Sequence, residues 1–192
     1  MPKIGMEPKR RAALVQAAIC EIGAAGSLNV TVGQIARRAG VSSALAHHYF
    51  GSKAQILSAA MRHILSDYSR EVREALVAAQ GPQDRLRAVI AANFADSCFE
   101  PAVISAWLNF YVLAQRDPEA GRLLRIYQGR LRSNLKHALR AHMARPGPAA
   151  ELLAALIDGM YLRAALGGAG FEEDAAAQVM TCVEALIREQ NT

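Results

Sequence analysis

Apolar residues recur along this chain at helical spacing. Leu14, Ala17, Ala18, Ile22 and Ala25 mark one face of a first helix over about 9–25, which Gly26 ends. Residues 31–40 repeat the pattern through Val32, Ile35, Ala36 and Ala39, with Thr31 and Gln34 in capping-box relation and Gly40 as a stop. Ser42 caps a third helix in which Val41, Leu45 and Tyr49 stand four apart, closed by Gly51. Ser52 and Gln55 form a second capping box and open a long helix through Ile56, Leu57, Ala60, Met61, Ile64, Leu65, Tyr68 and Val72. Past Gly81 and Pro82 the spacing predicts longer helices over about 83–97, 101–115, 119–143, 149–166 and 173–189, set off by Pro101, Pro118, the Pro146-Gly147-Pro148 break and the glycine-rich run 167–170. The expected fold is all-α with about nine helices: a three-helix N-terminal head over 1–52 and a helical body over 53–192, whose stretch 53–80 connects the two.

Composition agrees, with 52% apolar residues, 6% aromatics and abundant alanine favouring helix over sheet. Cys20, Cys98 and Cys182 lie far apart inside apolar helical patterns and read as buried thiols in a reducing cytoplasm. The basic and then apolar opening resembles a signal peptide superficially, but Gln16 and Glu21 break the run. No other apolar run approaches about 18 residues, so no membrane span is expected. The helix over 149–166 is apolar nearly all round and the last helix carries the stripe Val179, Met180, Val183, Leu186 and Ile187, which suggests either an internal core or a surface covered by a second copy.

Charge is divided unevenly. Residues 1–66 hold eight Lys/Arg against two acids, and the remainder is close to neutral. An excess of this kind in the first third is a footprint for a polyanion. Two short helices about a glycine-containing turn, packed on a first helix in that basic third, make a DNA-reading helix-turn-helix. With Val41, Leu45 and Tyr49 turned partly inward, Ser43, Ala44, His47 and His48 point outward. Thr31, Ser42 and Lys53 stand at helix starts where they meet phosphate, and Tyr49 adds a phosphate hydrogen bond. His47 is expected at a base edge and His48 at the sugar-phosphate strand. Adjacent histidines diverge by about 100° on a helix and no Cys, Asp or Glu stands close by, so they make a poor metal site. No nucleophile elbow, HExxH or phosphate-cradling loop occurs, so neither enzyme nor cofactor is expected.

The stretch TVGQIARRAGVSSALAHHYFGSKAQIL resembles the DNA-binding head of the TetR family of bacterial repressors. The opening MPKIGMEPKRR, AWLNF around Trp107, RLRSNL at 130–135 and ALIDGMYLRAAL at 155–166 resemble its BetI type, choline-responsive repressors of glycine betaine synthesis genes. The resemblance implies an Ω-shaped homodimer joined by the last two helices of each chain, binding a pseudo-palindromic operator. It also implies phosphate contacts from Thr31, the Gly33 backbone, Ser42, His48, Tyr49 and Lys53, with Ser43, Ala44 and His47 facing bases. The recognition helix SSALAHHYFGSK departs from the expected pattern.

A regulator also needs an effector site, because only differential affinity shifts an equilibrium. Trp107, Phe110 and Tyr111 share one helical face, Asp158 and Tyr161 interrupt an apolar helix, and Asn93 and Phe94 lie on the fifth. Aromatic faces with one carboxylate suit a quaternary ammonium such as choline, whose hydroxyl could meet Asn93, Asn109 or Tyr161. The competing readings are core packing for these aromatics, a different cationic or lipophilic inducer, and a non-specific architectural DNA-binding protein.

Overall fold

The computed structural model describes residues 6–166 and 175–190, so the expected loop at 167–170 and the start of the expected last helix lie outside the described residues. Among the described residues there are nine α-helices, two 3-10 turns and no strand. In order these are α1 (Met6–Ala25), α2 (Val32–Arg38), α3 (Ser43–Phe50), α4 (Lys53–Ala78), α5 (Pro82–Ala91), α6 (Pro101–Ala114), α7 (Pro118–Leu139), α8 (Pro146–Ala165) and α9 (Ala175–Gln190).

Several boundaries follow from local chemistry. Gly26, Gly40 and Gly51 adopt positive φ at the ends of α1, α2 and α3, where other side chains are strained. Both expected capping boxes form: Gln34 N–H donates to Thr31 Oγ1 at 3.2 Å and Thr31 N–H to Gln34 Oε1 at 2.7 Å, and Ser52 and Gln55 exchange the same pair of bonds. The expected helix over 83–97 breaks early. After Ala91 the chain passes into 3-10 turns at Ala92–Phe94 and Asp96–Cys98, with Ala95 extended. Asn93 explains part of this, because its side-chain amide donates to the Val89 carbonyl at 2.6 Å and competes with the backbone ladder. The Pro146-Gly147-Pro148 break proves to be the first turn of α8, where prolines cost no hydrogen bond.

The chain packs as two compact units. The first comprises residues up to Leu65 together with Glu100–Leu123, so packing groups α1, α2, α3 and the start of α4 with α6 and the start of α7. That grouping differs from the division expected at 52/53. Its core is built from Leu14, Ala18, Ile22, Ile35, Ala46, Ile56, Ala60 and Ala106, all fully buried. Helices α1 and α6 approach closely, since a Cβ on Gly23 would lie 2.6 Å from Ala102 Cα. Beside it the Ser105 hydroxyl donates to the Ile22 carbonyl at 3.4 Å, and the Asn109 amide donates to the carbonyls of Gly26 and Ser105.

The second unit, Ser66–Phe99 with the chain from Leu124 onward, buries Val72, Leu86, Ile90, Leu131, Leu135, Leu139, Leu153, Ile157, Val179 and Val183. Helix α9 packs on α8 and on α5. Helix α8 is not covered all round: Leu152 and Leu162 are exposed, and an apolar hollow of about 330 Å³ opens between α8 and α9 beside Leu156, Met160 and Cys182. The expectation of buried cysteines is corrected, since Cys20 and Cys182 are exposed and Cys98 is half-buried. Cys20 falls off the buried stripe of Leu14, Ala17, Ala18 and Ile22, and Cys182 lies at the open hollow.

The α1–α6 contact fixes the sign of two otherwise similar substitutions. Alanine is favoured over glycine in a helix by about 1 kcal/mol, and overpacking costs about 1–3 kcal/mol or more. Gly23→Ala is therefore expected to lower the melting temperature. Gly129→Ala on α7, where a Cβ meets nothing within 4 Å, is expected to raise it. Thermal melts of both variants check this, and a stabilised Gly23→Ala would show that α1 and α6 do not approach so closely.

Candidate nucleic-acid interface and effector site

The helix-turn-helix presents one polar surface. Ser42, Ser43, Ala44, His47 and His48 are all exposed, whereas Ala46 is fully buried and Leu45 and Tyr49 are half-buried. Ser42 Oγ accepts the Leu45 N–H at 3.2 Å as N-cap, which leaves its hydroxyl proton to donate outward. The Thr31 hydroxyl, also at an N-cap, donates to Gln34 Oε1 at 2.8 Å. A Cβ on Gly33 would lie 3.7 Å from Ser43 Oγ and 3.8 Å from Thr31 Oγ1, so α2 and α3 bring these three residues to one place. The bare backbone of Gly33 lets a ligand approach closely there.

His47 Nδ1 lies 3.1 Å from the Gly51 carbonyl. A carbonyl only accepts, so Nδ1 carries the proton and Nε2 is left to face outward as an acceptor when the ring is neutral. The His48 ring packs at 5.5 Å against Tyr49, which is in turn covered by the Arg11 guanidinium. Lys53 stands half-buried at the first turn of α4. The positive charge of the head is partly offset, because Arg38 Nε donates to Glu21 at 2.5 Å and Arg11 Nε to Glu7 at 2.9 Å. Among the described residues no group of three His, Cys, Asp or Glu side chains is placed to hold a metal ion, and no single helix is long and apolar enough to cross a membrane.

The residues expected at an effector site fall into two groups. Trp107, Asn109, Phe110 and Tyr111 belong to the first unit. There Trp107 and Phe110 are buried with ring centroids 5.4 Å apart, Tyr111 meets Trp107 edge-on, and the Asn109 amide is engaged with the end of α1. Asn93, Phe94, Asp158 and Tyr161 belong to the second unit, which brings them together with three aromatics that spacing did not single out for the site, Tyr68, Phe99 and Tyr127.

This second group is a polar and aromatic lattice. Tyr127 Oη donates to Asp158 Oδ1 at 3.0 Å, and Tyr68 Oη donates to Asn93 Oδ1 at 2.8 Å. The Tyr68 and Tyr127 rings meet edge-on at 5.6 Å. Phe94 stacks on Phe99, Phe99 packs against Tyr161, and Tyr161 Oη donates to the Cys98 carbonyl at 2.9 Å. Burial pushes the Tyr68 phenol above its ordinary range. Burial likewise raises the Cys98 thiol to about 11, with Glu71 contributing, so this cysteine is held as an inert thiol. The irregular 3-10 segment after α5 places Asn93, Phe94 and Phe99 here, and a continued helix would have carried them to diverging faces.

Comparison with known proteins gives matches along most of the chain. Residues 14–60 match the model for bacterial regulatory proteins of the TetR family, and residues 82–188 match the C-terminal model of BetI-type transcriptional repressors. The HTH-type transcriptional regulator BetI of Brucella suis is 50% identical over 189 residues, covering 97% of this chain and 94% of its own. A solved regulator from Pseudomonas aeruginosa PAO1 superposes with a TM-score of 0.83 at 26% identity, over 94% of this chain and 91% of that one. A regulator from Saccharomonospora viridis, solved in complex with choline, shares the fold with a TM-score of 0.76 at 22% identity, over 92% of this chain and 96% of that one. Regulators of this family bind DNA operators and small-molecule effectors as dimers. The chain belongs to the TetR family, with a BetI-type C-terminal region, and is a DNA-binding transcriptional repressor, not an enzyme.

Proposed function

We propose that this repressor senses a quaternary ammonium compound, choline being the candidate, in the aromatic lattice of its second unit, and so controls osmoprotectant (glycine betaine) genes from the cytoplasm. The observation that carries this reading is Asp158 held by Tyr127, whose ring meets Tyr68, in the same unit as the ring series Phe94, Phe99 and Tyr161, the last of these one turn from Asp158 on α8. A trimethylammonium group offers no N–H donor. It is held by ring quadrupoles at roughly 0.5–2 kcal/mol each, with a carboxylate to balance its charge. Asn93 and the Tyr161 hydroxyl are polar partners for the alcohol of choline. Of the other residues expected at the site, Asn109 ties α6 to the end of α1 while Trp107, Phe110 and Tyr111 pack on one another, and the proposal does not require them to touch the cation.

On the DNA side, residues 1–52 act as the reader and 53–192 as the sensing and dimerising body. Thr31, the Gly33 N–H, Ser42, His48, Tyr49 and Lys53 hold phosphates, while Ser43, Ala44 and His47 face bases. A second copy covers the bare side of α8, with its exposed Leu152 and Leu162, and the hollow against α9. Two recognition helices about 34–36 Å apart then match one turn of B-DNA and read a pseudo-palindrome.

Titration calorimetry tests the sensor. Choline is expected to bind saturably and 3,3-dimethylbutan-1-ol, its neutral isostere, to bind far more weakly. Asp158→Asn removes the counter-charge and is expected to weaken choline by about tenfold or more and to leave the neutral isostere unchanged. Equal binding of the two ligands would point to an uncharged inducer.

The DNA face is tested on an operator selected from a random-sequence pool. Lys53→Ala is expected to weaken binding evenly across sequences and to reduce the salt slope by about one. His47→Ala is expected to relax preference at one base pair, at a cost of about 1–3 kcal/mol. Failure of the pool to yield any consensus would favour non-specific architectural binding.

A further inference from the structure

A second hollow, of about 410 Å³, opens in the first unit and plays no part in the cation reading. It is lined by Arg11 of α1, Tyr49 and Phe50 at the end of α3, Gln55, Ser58 and Arg62 on successive turns of α4, and Glu119 of α7. Its volume falls in the range of about 300–1,000 Å³ usual for small-molecule sites. Two guanidinium groups face one carboxylate, so its lining carries a net positive charge.

The two arginines are held differently. The Arg11 guanidinium lies 5.5 Å from the Tyr49 ring and 5.2 Å from the Phe50 ring, with its Nε on Glu7, so its terminal nitrogens remain to meet an acceptor. Arg62 Nη2 donates to Glu119. Both partners of that second pair are nearly half exposed, and exposed pairs of this kind are weak and exchange readily. A guanidinium presents its N–H groups as a planar fork that matches the two oxygens of a carboxylate.

We propose that this hollow is a binding site for a small dicarboxylate, one carboxylate taking the place of Glu119 on Arg62 and the other meeting Arg11. A volume of about 410 Å³ with guanidinium groups on two different helices suits a ligand with two separated anionic ends better than a single compact anion. Ser58 and Gln55 line the space between α1 and the Arg62 turn and offer further hydrogen bonds. The site shares Tyr49 with the proposed phosphate contacts, so its occupant acts next to the recognition helix. The proposal does not depend on the choline reading and is tested without choline.

Calorimetry of the full-length protein with succinate, with inorganic phosphate and with neutral succinamide reads it directly. Succinate is expected to bind saturably, phosphate more weakly and succinamide not at all. Arg62→Gln and Arg11→Gln are each expected to weaken succinate by about tenfold or more. Glu119→Gln, which removes the internal competitor, is expected to strengthen it by about two- to fivefold. Circular dichroism melts confirm that the variants fold. The proposal is overturned if succinate gives no saturable heat, if Arg62→Gln binds it like the parent, or if Glu119→Gln weakens it. It is also overturned if succinate fails to bind while Arg62→Gln lowers the salt slope of DNA binding by about one, because Arg62 would then serve a DNA phosphate.

Discussion

The first unit depends on how closely α1 can approach α6. Gly23 has no side chain, and Ala102 opposite it has almost none, so the two backbones come together where any larger pair would hold them apart. That proximity lets Ser105 and Asn109 reach the carbonyls at the end of α1. Those carbonyls are orphaned by the helix terminus and would otherwise need water. A DNA-reading head of three helices, two of them short, has little apolar surface to bury alone. Drawing Ala102, Val103 and Ala106 of α6 into its core gives it a larger one. A displacement of α6 would therefore act on α1 directly.

The second unit rests on a different constraint, the placing of polar groups among aromatic rings. Asn93 is almost wholly buried and both ends of its amide are engaged, the oxygen accepting from Tyr68 and one N–H donating to Val89. An unsatisfied amide in its place would cost about 1–3 kcal/mol. Tyr127 holds Asp158 in the same way from α7. These bonds fix ring positions as well as satisfying polar groups, and a preorganised aromatic site loses less on binding than one that must first assemble.

Much of this was legible in the sequence because it is local. Capping boxes at Thr31 and Ser52 and glycine stops at 26, 40 and 51 depend on residues within one turn, and all formed. Spacing also showed which side chains share a face, such as Trp107, Phe110 and Tyr111. It could not show what that face meets, because that depends on tertiary contacts. Tyr127 was missed for the same reason: it is a lone tyrosine on an amphipathic helix whose other buried residues are aliphatic, and its partner is thirty-one positions away. The break after Ala91 was hidden by the good helix formers that precede it and by a side-chain bond from Asn93 that spacing does not reveal. The expectation for the cysteines failed because an apolar neighbourhood in sequence is not a buried face in space. The fold and the exposure of the outward face of α3 were thus largely readable, and three of the seven residues of the proposed effector lattice were not.

The central claim is that a cation bound in the second unit changes how firmly the head holds DNA. Thermodynamic linkage makes the coupling reciprocal, so it can be read from the sensor side alone. The measurement is the dissociation constant of choline for the dimer, with and without saturating operator. The account predicts weaker choline binding to the DNA-bound protein, by a factor of about 5–150, and the same factor in operator affinity when choline is added. Identical choline affinity in the two states would contradict it, however tightly choline binds.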